Sequence, residues 1–349
     1  MGKVRKMSEK NKRKRVTMAD VAGKLGISKN AVSLALAGKP GVSEQMRRTI
    51  AETARKMGYY APGSASNAQA CIVVLVPPYI RDDGSFYSDV FWAIEHESRK
   101  TSVVTITAGL SAQAQRDLTL PNVPEGLRII GYLAIGSIDP RYLNRLVETG
   151  KKVVSVDIRT PMPISSVSAD NFFAGKAAAE YLISKGHRSI GFAGPAFGVQ
   201  SVYERWCGFS RALMDHGILP NEDMCILGRR DGLELLDTPE ALSRYYVSLR
   251  QRPTAWFCAG DLIALSMCRL LNASGLHVPD DVSVMGCDDL KMGEYIRPAL
   301  TTMHIDRKLM GKRAVWLLLG EKNEHPDDVI HIMLPVPLVE RQSVKTLLV

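Results

Sequence analysis

From residue 71 onward, short runs of β-branched and apolar residues alternate with amphipathic helical patterns. The predicted strands are 72–76, 103–107, 129–135, 153–156, 189–193, 224–227, 255–258 and 282–285. The predicted helices include 86–100, 172–185, 202–216 and 262–274. Two successive β-α-β-α blocks predict an α/β body of two lobes, each with a doubly wound parallel sheet. Ligands bind beyond the carboxyl ends of such strands, so the binding site is expected in the cleft between the lobes.

The composition excludes several classes of protein. The chain has 349 residues, of which 46% are hydrophobic and 23% charged, as in a soluble globular protein of two or three domains. No apolar run approaches the roughly 20 residues of a membrane span, and the basic N-terminus lacks the apolar stretch of a secretory signal. The six cysteines are scattered without a CxxC pair, which indicates reduced thiols and no metal site. We therefore expect a cytoplasmic protein with no membrane partner.

The positive charge is concentrated at the N-terminus. Residues 1–62 contain fifteen Lys and Arg against four acids, whereas the remainder contains 30 basic and 32 acidic residues. A basic module on a near-neutral body indicates a polyanionic partner, most often nucleic acid. Residues 1–15 alone are equally consistent with a disordered, solubilising arm.

Three short helices are predicted between residues 17 and 60. Thr17 and Asp20 have the spacing of a capping box, Gly26 supplies a tight turn, and Ser28 and Ser43 are placed to cap the second and third helices. The positions predicted to face inward are Met18, Val21, Ala22, Leu25, Val32, Ala35, Leu36, Met46, Ile50, Ala54 and Met57.

Two helices joined by a glycine turn form a helix-turn-helix when the second presents its first turns outward. Asn30 suits the N6/N7 edge of adenine and Lys29 suits guanine, while hydroxyls at helix N-termini suit phosphates. The alternative is a small three-helix bundle with a solvated polar face. The predicted DNA-binding residues are Thr17, Ser28, Lys29, Asn30, Ser33, Leu34, Ser43 and Arg47.

The N-terminal segment resembles the DNA-binding headpiece of the lactose-repressor (LacI/GalR) family. The shared motifs are Thr-x-x-Asp-Val-Ala at 17–22, Gly-Ile-Ser-x-x-x-Val-Ser at 26–33, Val-Ser at 42–43 and Gly-Tyr-x-Pro at 58–62, except that the last reads Gly-Tyr-Tyr-Ala-Pro here. The resemblance implies base reading by Lys29, Asn30 and Leu34. Family members usually continue into a hinge helix whose leucine inserts into the minor groove of DNA. Here residues 62–70 are rich in glycine and serine, and Gln69 occupies the position of that leucine. The expectation is a degenerate hinge, which either folds only on DNA or bends the operator weakly.

The body resembles the periplasmic-binding-protein-like ligand domain of the same family. The matching segments are 178–194, 204–209, 278–289, 298–302 and 334–343. The resemblance implies an all-α helix-turn-helix headpiece followed by a type I ligand domain of two doubly wound lobes. The predicted division is an arm at 1–15, a DNA-binding domain at 16–61, a linker at 62–70 and an effector and dimerisation domain at 71–349. Its first lobe is about 71–168 with 303–330, and its second is about 169–302 with 331–343.

The resemblance also implies an effector pocket. Its predicted residues are Phe86, Tyr87, Asp157, Arg205, Gly260 and Asp288. Two carboxylates and a guanidinium suit the hydroxyls and ring oxygen of a sugar or sugar derivative. Alternatively, each aspartate caps a turn and Arg205 pairs with Glu204 or another helix acid. Gly260 occupies a position where sugar-responsive members commonly have Asn, and residues 229–233 lack the aromatic residue expected to stack on the ligand. The alternatives are therefore that the pocket binds an uncommon carbohydrate or that it binds no ligand.

Catalytic motifs are missing from the sequence. There is no GxGxxG, GxxxxGK[ST], GxSxG or HExxH, and the seven histidines occur singly. We therefore predict no catalytic residue, cofactor or metal. We predict a bacterial transcriptional regulator, a repressor that binds a palindromic DNA operator at the nucleoid as a homodimer. A small-molecule effector is expected to control it, and the sequence has no leucine heptad tail. The alternatives are a DNA-binding regulator without a ligand switch and a cytoplasmic solute-binding α/β protein.

Overall fold

The computed structural model describes residues 16–36, 39–57, 69–81, 86–228, 236, 238–320 and 328–347. It divides into two compact units, one containing Met1–Gln69 with Glu125–Leu127 and the other Ala70–Pro124 with Arg128–Val349. We call residues 16–57 the headpiece and residues 69–347 the body. The predictions for the arm 1–15, the hinge segment 62–68, the motif end at 58–62 and the loop 229–233 fall outside the described residues.

The headpiece contains α1 (Met18–Leu25), α2 (Lys29–Leu36) and α3 (Glu44–Met57). The predicted capping box is confirmed at α1, because the Asp20 N–H donates to Thr17 Oγ1 and the Thr17 N–H donates to Asp20 Oδ2. Gly26 ends the helix at φ +65°, a left-handed conformation that favours glycine. Local sequence signals therefore account for the turn between α1 and α2.

The headpiece core contains the buried residues Val21, Ala22, Val32, Ala35, Ile50 and Ala54, with Met18, Leu25, Leu36 and Met57 packed against it. The inward position predicted for Met46 is wrong, since 40% of this residue is exposed. Val42, which precedes α3, packs against the core at this end. The side chain of Arg47, the next residue, reaches across to the Ala35 carbonyl oxygen of α2.

The first lobe of the body is built on a six-stranded sheet in the order β10-β5-β4-β3-β1-β2. Its strands are β1 (Gln69–Val76), β2 (Val104–Gly109), β3 (Leu127–Ile135), β4 (Lys152–Val156), β5 (Ser165–Ala169) and β10 (His331–Leu334). Its helices are α4 (Pro78–Arg81), α5 (Phe86–Lys100), α6 (Ala112–Arg116), α7 (Pro140–Val147) and α13 (Arg307–Leu319). Helix α13 packs against α5, β4 and β5.

The second lobe is built on a five-stranded sheet in the order β11-β9-β8-β7-β6. Its strands are β6 (Ile190–Ala193), β7 (Ala255–Cys258), β8 (Ser283–Asp288), β9 (Thr301–His304) and β11 (Leu338–Val339). Its helices are α8 (Asn171–Ser184), α9 (Gln200–Asp215), α10 (Pro239–Tyr246), α11 (Asp261–Ala273) and α12 (Met292–Tyr295), with a 3₁₀ turn at Glu222–Met224. Strands β6 to β9 pair in parallel and β11 pairs antiparallel to β9.

The predicted fold class is confirmed, with differences in detail. Strand β1 begins at Gln69, so residues 69 and 70 of the predicted linker belong to the first sheet. Strand β10 pairs with β5 and so belongs to the first lobe, although 331–343 was predicted in the second. Strand β9 keeps residues 303–304 in the second sheet, because it pairs with β8 as far as His304. The predicted strand 224–227 is a 3₁₀ turn followed by a single bridge from Ile226 to Ala193, since Asn221 caps the turn with its side chain.

Among the described residues, no helix is long and apolar enough to cross a membrane.

Candidate functional site

The first turn of α2 presents the polar side chains predicted to read bases. Ser28 Oγ accepts from the Ala31 N–H at 3.1 Å and so caps the helix. Lys29 and Asn30 follow with exposed side chains, whereas Ser33 and Leu34 are half-buried. Lys29 and Asn30 are therefore accessible to solvent, whereas Ser33 and Leu34 have a smaller accessible surface.

Each headpiece helix begins with an exposed hydroxyl residue. Thr17 caps α1, Ser28 caps α2, and Ser43 Oγ accepts from the Met46 N–H at 3.3 Å at the start of α3. Helix N-termini carry unpaired N–H groups and a partial positive charge, which suit phosphate oxygens. This placement agrees with the predicted phosphate contacts, which stay predictions.

Arg47 is placed differently from its prediction as a DNA contact. Its Nη1 donates to the carbonyl oxygens of Leu34 and Ala35, at 3.3 and 2.9 Å, and its Nη2 donates to that of Lys39 at 2.9 Å. Its Nε also forms an ion pair with Glu44 at 3.3 Å. Because these contacts engage the guanidinium at the C-terminal end of α2, the structure gives Arg47 a structural role in holding that helix.

In the body, five of the six predicted pocket residues line one small cavity. The first lobe contributes residues from the start of α5 and the end of β4, and the second contributes residues from α9 and the end of β8. The cavity has a volume of about 130 Å³ and is lined by Phe86, Tyr87, Asp157, Ser201, Arg205 and Asp288. Ser201 was not predicted, although its position one helical turn before Arg205 could have indicated it.

Both cavity aspartates follow buried strands in an unusual backbone conformation. Asp157 has φ +72° and Asp288 has φ +121°, values that non-glycine residues rarely adopt. The Asp157 N–H donates to the Val167 carbonyl oxygen at 2.8 Å, and the Tyr87 hydroxyl donates to Asp157 Oδ2 at 2.7 Å. The Phe86 and Tyr87 rings meet edge to face at 4.9 Å. The first-lobe wall of the cavity is thus an aromatic pair bonded to a carboxylate.

Arg205 is the central charge on the second-lobe wall, and only 5% of it is exposed. Its Nε donates to Asn171 Oδ1 at 3.0 Å, its Nη1 donates to the Ala259 carbonyl oxygen, and Nη1 lies 3.5 Å from Asp288 Oδ1. The alternative pairing with Glu204 does not occur, because Glu204 instead accepts from Gln200 and Asn171. The guanidinium is therefore held at the cavity wall by three different elements of the lobe.

Two buried carboxyl groups of the second lobe resist ionisation. Burial raises the pKa of Asp288 to about 7, against the opposing effects of Arg205 and Arg307. Burial and the nearby Asp288 raise the pKa of Asp261 to about 8. Asp261 accepts from the Thr302 hydroxyl at 2.6 Å and from the Leu290 N–H at 2.7 Å, which ties α11 to β9 and to the loop after β8.

Arg307 connects the two lobes beside the cavity and was missed in the sequence. It lies at the first position of α13, where Asp306 caps the helix. Its Nη1 donates to the Asp288 carbonyl oxygen, and its Nε pairs with Asp89 Oδ2 of α5 at 3.2 Å. Its guanidinium also lies 5.7 Å from the centre of the Phe86 ring. No local motif marks this arginine, because its partners are far away in the chain.

A larger groove of about 470 Å³ lies between α5 and α13. It is lined by Asp89, Trp92, Ala93, His96, Glu97, Asp306, Lys308, Leu309 and Lys312. Trp92 and the two lysines there are exposed, and the groove does not include the buried charges of the smaller cavity. Buried, convergent polar groups are the better sign of a ligand site, so the smaller cavity is the candidate effector site.

Comparison with known families agrees with this architecture. Residues 17–61 match the family of bacterial regulatory proteins called lacI, and residues 179–344 match the periplasmic binding protein-like domain. The chain joins a LacI-family headpiece to a periplasmic-binding-protein-like body. With this combination it is a DNA-binding transcriptional regulator with a helix-turn-helix headpiece and a two-lobed ligand domain.

Individual LacI-family relatives match over nearly the whole chain. The repressor PurR of Photobacterium profundum is 27% identical over 340 residues, which cover 95% of this chain and 99% of that protein. The regulator CelR in complex with cellobiose superposes with a TM-score of 0.66 at 24% identity, covering 94% of this chain and 100% of that one. The lac repressor dimer bound to operator and the anti-inducer ONPF gives a TM-score of 0.63 at 21% identity, covering 95% and 100%.

Gly260 is the predicted pocket residue that does not line the cavity. It lies in extended backbone at the N-cap of α11. A Cβ atom added there would lie 3.1 Å from Asp288 Oδ2, which is tighter than ordinary van der Waals contact. Glycine at this position therefore leaves room for the Asp288 carboxylate in its observed position.

Proposed function

We propose that this LacI-family chain is a repressor that binds a palindromic operator as a homodimer and responds to a small neutral polyol, such as a sugar, in the cleft between its lobes. It acts by binding alone, without catalysis, on the nucleoid in the cytoplasm. The observation that supports the switch most strongly is the cavity whose polar lining comes from both lobes. A ligand that bridges the lobes binds their closed and open arrangements differently, and so shifts the population between them.

Base reading is assigned to Asn30 and Lys29 at the exposed start of α2. Replacing Asn30 by alanine should weaken binding to the specific operator by about 1–3 kcal/mol, because one bidentate contact to a base is lost. Binding to random duplexes should hardly change. Gln45→Ala, an exposed amide on α3, is the matched control. Equal losses on specific and random DNA, measured by fluorescence anisotropy, would contradict this assignment.

The charges in the cavity favour a neutral effector over an anion. Arg205 lies 3.5 Å from Asp288, and Asp157 adds a second carboxylate on the opposite lobe. The carboxylates can accept hydroxyl hydrogens, and Arg205 can donate to a ring or hydroxyl oxygen. The relative CelR, which forms a complex with cellobiose, supports a carbohydrate. Because about 130 Å³ is less than the roughly 300–1,000 Å³ of common ligand pockets, a disaccharide requires the lobes to separate.

Thermal melting tests the effector proposal. The purified protein would be heated with ribose, glucose, cellobiose or sucrose, and with glucuronate as the anionic comparison. A ligand at 100 times its dissociation constant stabilises the native state by about 2.7 kcal/mol. A response to a neutral sugar that Asp288→Asn abolishes is expected. A response to glucuronate alone would contradict the proposal.

The second candidate function is DNA binding without a ligand switch. It is favoured by one observation: the cavity side chains already bond to one another, Tyr87 to Asp157 and Arg205 to Asp288. In that case no sugar changes the melting temperature, and operator binding is the same in their presence. The sugar series therefore separates the two candidates.

A further inference from the structure

We propose that Asn171 is a positioning residue that orients Arg205 and decides which edge of its guanidinium faces the effector cavity. The inference rests on the effector role proposed for the cavity. It adds a specificity-determining residue that lies outside the cavity lining.

The contacts of Asn171 fix the direction of its amide. The residue is the first of α8 and is 2% exposed. Its Nδ2 donates to Glu204 Oε2 at 3.3 Å, while Glu204 Oε1 accepts from Gln200 at 3.0 Å. A carboxylate only accepts hydrogen bonds, so the amide nitrogen must face Glu204 and the amide oxygen must face Arg205. Asn171 Oδ1 is thereby committed to the Nε–H of Arg205, at 3.0 Å.

The two helices that carry this contact are held at a fixed separation. A Cβ atom built on Gly175 of α8 would overlap the carbonyl oxygen of Arg205. One built on Gly208 of α9 would overlap the carbonyl oxygen of Phe172. The backbones of α8 and α9 therefore touch at two points next to the Asn171–Arg205 contact, and neither helix can shift without breaking the packing. The amide is a rigid support for the guanidinium.

This support has a consequence for ligand choice. With Nε held by Asn171 and Nη1 engaged by the Ala259 carbonyl oxygen and by Asp288 at 3.5 Å, no residue in the described ranges accepts a hydrogen bond from Nη2. Arg205 thus presents one nitrogen rather than a two-pronged fork. A single donor suits a hydroxyl or carbonyl oxygen, whereas carboxylates and phosphates are recognised best by two parallel N–H groups. Asn171 in this way biases the cavity toward neutral ligands.

The test is the Nε–H signal of Arg205 in the NMR spectrum of the full-length protein labelled with ¹⁵N-arginine. Loss of one signal in Arg205→Lys assigns it. In Asn171→Ala, the Nε–H should exchange with solvent about tenfold faster or more, because a buried, charge-assisted hydrogen bond is lost. In Asn171→Asp, the contact to Glu204 is lost, but slow exchange of the Arg205 Nε–H should be retained, since a carboxylate oxygen still accepts from Nε. Asn144→Ala, which removes an exposed helical amide bonded to Glu148 at 3.0 Å, is the matched control and should change nothing.

An unchanged Arg205 signal in Asn171→Ala would overturn the proposal. Fast exchange in Asn171→Asp as well as in Asn171→Ala would also overturn it, because the loss would then follow any change at this position. If Asn171→Ala does not fold, fast exchange in Asn171→Asp would still overturn the proposal. No effector is needed, so failure of every sugar in the melting series would count against the proposed function and not against this positioning role.

Discussion

Replacing Arg205 by methionine should destabilise the body in a pH-dependent manner. Methionine roughly fills the volume of the arginine stem but leaves Asp288, Asn171 and the Ala259 carbonyl oxygen without their partner. Removing one member of a buried ion pair costs about 3–5 kcal/mol. Because 14% of the Asp288 side chain is exposed, the lower end of that range is expected at pH 8, about 3 kcal/mol.

At pH 6 the cost should be smaller. Burial already raises the pKa of Asp288 to about 7, and Arg205 opposes that rise. Without the guanidinium the pKa rises further, so the carboxyl takes up a proton at pH 6 and no buried charge is left. Only the lost hydrogen bonds then count, about 1–2 kcal/mol. In the double variant Arg205→Met with Asp288→Asn, the loss of stability should be nearly the same at pH 6 and pH 8, because residue 288 then carries no charge.

Urea unfolding followed by tryptophan fluorescence measures these free energies, with Trp256 buried in the second lobe as a probe. The matched control is Arg211→Met on the same helix, which removes an exposed pair with Asp215 at 2.7 Å and should cost about 0.3–0.5 kcal/mol. An equal loss at pH 6 and pH 8, or a loss no larger than that of the control, would refute the assigned role of the buried pair.

Four other changes test single contacts of the headpiece and the body. Thr17→Ala should lower headpiece stability by about 1 kcal/mol in thermal circular dichroism, because the capping box is lost. Arg47→Lys should also weaken the headpiece in that assay, since one ammonium group cannot replace contacts to three carbonyl oxygens. Gly208→Ala should destabilise the body by about 1–3 kcal/mol or more in urea, because its Cβ would overlap a carbonyl oxygen of α8. Wild-type melting temperature should fall as pH rises toward 7–8, because Asp261 and Asp288 bind protons more tightly when folded, and Asp261→Asn should flatten that slope.

The parts of the fold that were predictable have local causes. The capping box at Thr17, the turn at Gly26 and the apolar strands β1 and β7 follow from short-range chemistry. Strand β5 was not among the predicted strands, because Ser-Ser-Val-Ser-Ala has almost no apolar pattern, yet all five residues are buried between β4 and β10. The assignment of β10 to the first lobe depends on pairing with residues about 165 positions away, which no local pattern encodes.

The residues of the candidate site also fall into those predictable from local sequence and those that depend on distant partners. Asp157 and Asp288 were predicted at strand ends, where α/β proteins bind ligands, and the structure brings them to one cavity. Asn171 and Arg307 act through partners that are distant in sequence, so their roles appear only once the helices pack. Arg47 was also predicted to contact DNA, but the fold brings its guanidinium within reach of three carbonyl oxygens.

The most direct test of the central claim is selection of bound duplexes from a random DNA pool by the full-length protein, with and without a mixture of neutral sugars. The account predicts an inverted repeat whose two halves change together in Asn30→Ala, and whose enrichment changes with the sugar mixture. An inverted repeat whose enrichment does not change with the mixture would support the DNA-binding regulator and contradict the proposed sugar effector. Enrichment of no sequence at all would contradict the claim that this headpiece reads an operator.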